Sequence, residues 1–273
     1  MMAFTISLIT AGVLAWALWT RRHTWRVKWE TASTTSICLL AVAVLMLSST
    51  PVSTFVGCKL HHITHVWNLQ FWLGHLCALG AMCAVVYNAV SKLDRPRRHS
   101  TETFHSWFFK WIQTPTAIGT LIITALFANS DANRHPMYNL GTYPSDGRYP
   151  YLTAYWIVLS LMLIYLLYHG IRAFHDLKDD ETRLLCNLYL AGCYSAVICL
   201  GMRILTAVIP QWDTPTVLTL MAIPAGVAIC TFAYAAGLSW ITRLRSFTKH
   251  VTWSGGLSWS DPPNGDRDKN KSG

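Results

Sequence analysis

The chain has 273 residues, of which 52% are hydrophobic and only 13% charged, with a formal net charge of +9 and a mean hydropathy of +0.31. A soluble domain carries about 25% charged residues, so this composition excludes an ordinary water-soluble globule and points to lipid as the solvent. Lys and Arg fall in short blocks between apolar runs instead of along one stripe. That pattern argues for a bilayer with anionic headgroups as the partner and against nucleic acid.

A run of about 20 apolar residues crosses the hydrocarbon core as a helix, and seven such runs are legible. The first covers residues 4 to 20 and stops at Arg21, Arg22, Arg26 and Lys28. Its Ala15-Trp16-Ala17 resembles a signal-peptidase site, but no basic segment precedes it and the basic block after it opposes export, so it reads as an uncleaved helix. The second covers 34 to 56, the third 69 to 91 and the fourth 108 to 129, with Pro115 in its first turns. The fifth covers 151 to 172, the sixth 184 to 209 and the seventh 215 to 241, with Pro224 inside it.

Orientation follows from the basic residues. Segments 21 to 33, 92 to 111 and 172 to 183 plus the tail carry eighteen Lys and Arg, against Lys59, Arg134 and Arg148 in the alternate connections. The predicted fold is therefore an all-α membrane protein with seven transmembrane helices, the amino terminus outside and the carboxyl terminus in the cytoplasm. This is a multi-pass arrangement in the cytoplasmic (inner) membrane. Residues 1 to 245 form the bundle; residues 246 to 273, polar and rich in Gly and Pro, are expected to form a disordered cytoplasmic tail.

Ionisable residues inside hydrocarbon are costly and mark candidate sites. His75 lies about six residues inside the outer end of the third run and Arg203 about six inside the outer end of the sixth, so both sit ~9 Å below the outer surface at ~1.5 Å per residue. Tyr155 and Trp156 enter at a similar level, and Asp213 in the short 210 to 214 connection is within reach of Arg203. These five residues form the candidate ligand pocket, the alternative being that Arg203 snorkels to headgroups and His75 bonds a neighbouring helix.

His61, His62 and His65 are weak metal candidates: residues four apart on a helix share a face, but no Asp, Glu or paired Cys nearby completes four ligands. Seven of the eight Cys lie in apolar runs and Cys58 faces the outside, so no disulfide framework is expected. His75 and His169 sit at opposite depths and cannot sandwich a haem. The acidic segment around Asp176, Asp179, Asp180 and Glu181 suits the start of a helix better than a two-metal site, which needs a second acidic motif. The last run has no Lys for a retinal Schiff base, and Gly237-Leu238-Ser239-Trp240 departs from a rhomboid-type serine motif. No catalytic residue and no cofactor are expected.

The segments Trp72-Leu73-Gly74-His75-Leu76-Cys77-Ala78, Pro150-Tyr151-Leu152-Thr153-Ala154-Tyr155 and Gly201-Met202-Arg203 resemble a large actinobacterial family of seven-helix integral membrane proteins of unsettled function, over about residues 4 to 245. Members are commonly fused to a cytoplasmic domain or encoded near helix-turn-helix regulators, and some occur on phages and prophages. The resemblance implies a receptor-like sensor or regulator working through its helix bundle without catalysis, with a membrane or cytoplasmic protein as a further partner. Superinfection immunity from a phage or prophage protein is the alternative, and a membrane enzyme or carrier a third.

Overall fold

The computed structural model describes residues 2–24, 30–48, 51–93, 106–134, 149–178, 182–212 and 214–253. Every regular element among them is helical: α1 (Met2–Thr20), α2 (Thr31–Leu47), α3 (Pro51–Thr64), α4 (Leu69–Leu93), α5 (Thr114–Asn129), α6 (Pro150–Asp176), α7 (Arg183–Val208) and α8 (Pro215–Trp253). Five stretches are long and apolar enough to cross a membrane, namely Leu69–Ser91, Ser106–Asn129, Pro150–Asp176, Arg183–Val208 and Thr216–Thr242. The bent pair α2 plus α3 raises the number to six, and Phe4–Thr20 is a shorter apolar helix.

The run expected to be continuous from 34 to 56 is broken, which corrects that reading. Ser48 leaves α2 in an extended conformation (ψ 146°) while its N–H still donates to Val44 O. Pro51 then opens α3, as its missing N–H and fixed φ favour the first turn of a new helix. The two helices meet at 83°. α3 buries Ser53 and Gly57 and leaves Val52, Phe55 and Ile63 exposed.

Pro115 has a different effect. It cannot donate to the carbonyl four residues back, at Trp111, and the chain accommodates it with a π-helical turn over Phe109–Gln113. Tyr165 of α6 supplies the lost hydrogen, its hydroxyl donating to Trp111 O at 2.5 Å. A polar side chain from a neighbouring helix thus satisfies the freed backbone group, as a proline inside a membrane helix requires.

The helices close into a ring in which successive neighbours are α1, α2, α4, α6, α7, α8 and α1 again. α5 packs outside the ring on α6, and α3 packs against α2 and α4. Several contacts around the ring depend on glycine: a Cβ on Gly74 would meet Leu47 at 2.8 Å, one on Gly192 would meet Thr231 at 2.7 Å, and one on Gly237 would meet Trp16 at 2.6 Å. Small residues are what allow helices to approach this closely. α8 stays helical to Trp253, past the expected boundary at 245, and the rest of the expected tail lies outside the described residues.

Candidate functional site

α4 begins where the α3–α4 connection folds back. Asn68 has φ 59°, a left-handed conformation that Asn tolerates better than most residues. Its carbonyl accepts from Phe71 N and Trp72 N, while its side-chain amide donates to Ala132 O at 2.7 Å. Trp67 N donates to Asn133 O at 2.9 Å. The start of α4 is therefore pinned to the turn after α5, and His75 lies seven residues along α4 from this anchor.

Four of the five predicted pocket residues come together. His75 Nδ1 and the Tyr155 hydroxyl share a hydrogen bond of 2.7 Å, linking α4 to α6. The His75 ring also meets Trp156 edge-on at 4.9 Å between centroids. The Arg203 guanidinium lies over the Trp156 face at 3.9 Å from its centroid, adding α7. That separation is well inside the ~6 Å reach of a cation–π contact, which strengthens where water is excluded. Arg203 Nη1 also donates to Thr206 Oγ1 at 3.4 Å. Asp213 lies outside the described residues.

The cluster is closed. Tyr155 is 0% exposed, His75 6% and Arg203 8%, so the guanidinium is held inside the protein on an aromatic face. Phe127 and Trp72 extend the group, stacked at 6.3 Å from each other, with Phe127 also 6.3 Å from Tyr155. Trp72 Nε1 and Trp156 Nε1 are buried and find no hydrogen-bond acceptor among the described residues. A buried donor left unmade costs roughly 1 to 3 kcal/mol. Trp156 carries the guanidinium on its face, so an acceptor reaching Trp156 Nε1 would meet a donor and a cation together.

The histidines of α3 are arranged differently. The His61 ring stacks on Trp67 at 3.6 Å and meets His65 edge-on at 6.4 Å, while His62 and His65 are exposed. No group of three His, Cys, Asp or Glu able to hold a metal ion occurs among the described residues. In the acidic segment, Asp179, Asp180 and Glu181 lie outside those residues, and His175 Nε2 lies 3.2 Å from the Tyr194 hydroxyl.

A second polar centre was not anticipated. Arg21, counted above among the basic residues of the first connection, is 0% exposed and forms an ion pair with Glu30 at 2.5 Å, itself 1% exposed. Arg21 Nη1 also donates to Ala236 O of α8 at 2.8 Å and its Nε to Thr34 Oγ1 at 3.3 Å. Thr24 and Thr34 hydroxyls share a bond of 2.6 Å beside them. The pair thus ties the end of α1 to the start of α2 and to α8. The available signal was Glu30 itself, a lone acid closing a basic block immediately before an apolar run.

Across known proteins, no family model, no curated protein and no solved structure matches this chain.

Proposed function

We propose that this chain is a seven-span protein of the cytoplasmic membrane that acts without catalysis as a receptor-like sensor or regulator. The observation that carries the reading is the buried cluster in which His75, Tyr155, Trp156 and Arg203 join α4, α6 and α7. In this reading α1 and α2 are the two remaining spans; their 19 and 17 residues rise about 28 and 26 Å, close to the ~30 Å hydrocarbon core. The distribution of basic residues sets the amino terminus outside.

A ligand or partner arriving at the cluster end supplies acceptors to Trp72 Nε1, Trp156 Nε1 and the guanidinium. It favours whichever packing of α4, α6 and α7 offers those donors best, and the population shifts to that packing. The cytoplasmic connections report the change to a partner protein.

The test is complementation of a deletion strain in the native host. Wild-type protein restores the deletion phenotype, whereas Arg203→Ala and His75→Ala reach the membrane in normal amount and do not. Full restoration by both variants would overturn the proposal.

A further inference from the structure

The six ring helices surround a cavity of about 450 Å³ that is partly open to its surroundings. Its wall takes residues from every ring helix, among them Ile6, Leu40, Met82, Leu167, Leu200 and Phe232. The volume lies in the ~300 to 1,000 Å³ range of ligand sites, but such sites normally carry a few polar groups that orient the ligand. Here the described lining has no charged group. Three of its polar side chains spend their hydrogen on helix carbonyls: Thr10 on Ile6 O at 2.6 Å, Ser48 on Leu45 O at 3.2 Å and Cys199 on Met221 O at 3.5 Å. Such a wall offers water too few partners and matches a hydrocarbon.

Shape narrows the occupant further. Along α8 the wall runs from Leu218 to Phe232, about 21 Å at ~1.5 Å per residue. On α4, α6 and α7 the lining covers about one turn each, at 78–82, 163–167 and 196–200, so those helices enclose part of that length, and 450 Å³ is of a size to take a single hydrocarbon chain. The outer surface beside the wall is apolar as well: Phe4 and Leu8 flank Ile6 and Ser7, and Leu220 and Ile223 flank Leu218 and Ala222, all four flanking residues being exposed. The cavity is partly open, and α1 and α8, which line it, also carry these exposed apolar side chains.

We infer that the ring is a lipid-chain site, in which one acyl chain of a bilayer phospholipid enters between helices and lies along α8. The site is separate from the polar cluster, since none of His75, Tyr155, Trp156 and Arg203 lines the cavity. It adjoins the cluster, with Ala78 one turn beyond His75 on α4 and Cys199 one turn before Arg203 on α7.

The experiment uses the full chain in phosphatidylcholine vesicles doped with a phosphatidylcholine that carries a diazirine in mid-chain. Irradiation and peptide mapping are expected to place adducts on the 196–200 and 222–232 stretches of the wall and also on the outward face of α5 at Leu121, which is 71% exposed. Ala225→Phe, which fills the cavity, abolishes the wall adducts and leaves those at Leu121 intact; Ala196→Leu, a smaller filler, serves if the first variant does not fold. Adducts confined to Leu121-type positions, or wall adducts that survive filling, overturn the inference. So does labelling of the wall by a free diazirine fatty acid when the phospholipid leaves it unlabelled. Arg203→Ala keeps the wall adducts whether or not the cluster binds a ligand, so the two proposals fail separately.

Discussion

Removing one member of the Arg21–Glu30 pair is the sharpest perturbation the structure offers. Both side chains are essentially inaccessible, at 0% and 1%, so Glu30→Gln leaves a guanidinium inside the protein with its countercharge gone. Breaking a buried pair from one side costs about 3 to 5 kcal/mol. Here the lower end applies, because Arg21 keeps its bonds to Ala236 O and Thr34 Oγ1. A loss of ~3 kcal/mol corresponds to about two decades in the folding equilibrium.

The double variant Arg21→Met with Glu30→Leu removes both charges and leaves neither desolvated alone, and replacing such a pair by apolar residues is often neutral. Ala236 O lies within continuous helix, and Thr34 Oγ1 retains Thr24 and Glu30 O as partners. The double variant should therefore lie within ~1 kcal/mol of wild type; in a cycle with the single variants Arg21→Met and Glu30→Leu, the latter losing ~3 kcal/mol for the same missing countercharge, the coupling energy is at least ~2 kcal/mol. The assay is unfolding of the purified full chain by increasing mole fraction of sodium dodecyl sulfate, followed by helical circular dichroism. A Glu30→Gln loss below ~1 kcal/mol, or a double variant no more stable than the worse single one, would refute the reasoning.

The same assay reads Tyr165→Phe, which leaves Trp111 O without the hydrogen that Pro115 cannot provide and should cost about 0.5 to 1.5 kcal/mol, the net worth of one hydrogen bond; a neutral result would show that Trp111 O needs no partner there. A cycle on His75→Ala and Tyr155→Phe should give a coupling of about 0.6 kcal/mol, the mean for hydrogen bonds between membrane helices, and at most about 1.7 kcal/mol; zero coupling would count against the 2.7 Å bond. Asn68→Ala loses the tie to Ala132 O and puts a less tolerant residue at φ 59°; a loss of roughly 1 to 2 kcal/mol is expected, with faster proteolysis at the α3–α4 connection. Topology is read from Cys58, which is exposed on α3. A membrane-impermeant maleimide should label it in intact cells and not in Cys58→Ser cells, whereas labelling only after lysis would mean the opposite orientation.

What the sequence makes legible is hydropathy along one dimension. The third run, expected at 69 to 91, is the helix Leu69–Leu93, and the fifth, expected at 151 to 172, lies inside Pro150–Asp176. The break in the second run was signalled by Ser48-Ser49-Thr50-Pro51, a polar cluster ending in proline, but apolar residues on both sides concealed it. Depth arithmetic put His75, Tyr155 and Arg203 at one level. Their mutual contact depends on which face each helix turns inward, and a helix apolar nearly all round gives no such phase. Arg21 escaped for a related reason: charge counting assigns it to a connection, whereas its burial depends on Ala236, 215 residues away. The cavity was out of reach because it is space left between six helices and belongs to no single segment.

The two polar centres divide the ring without sharing a helix. Arg21 and Glu30 tie α1, α2 and α8, whereas His75, Tyr155, Trp156 and Arg203 tie α4, α6 and α7. They also lie at opposite ends. Arg203 is five residues from the end of α7, beside the turn into α8, whereas Ala236 lies 21 residues along α8, which at ~1.5 Å per residue puts them about 24 Å apart along the bundle. The two sets of three helices meet at the α2–α4 and α7–α8 seams, where Gly74 admits Leu47 and Gly192 admits Thr231. Cys199 Sγ also donates to Met221 O across the α7–α8 seam at 3.5 Å, so that seam carries a polar tie as well as close packing on glycine. The cavity takes its wall from both sets of helices, so a hydrocarbon chain lying in it would pack the two halves against each other.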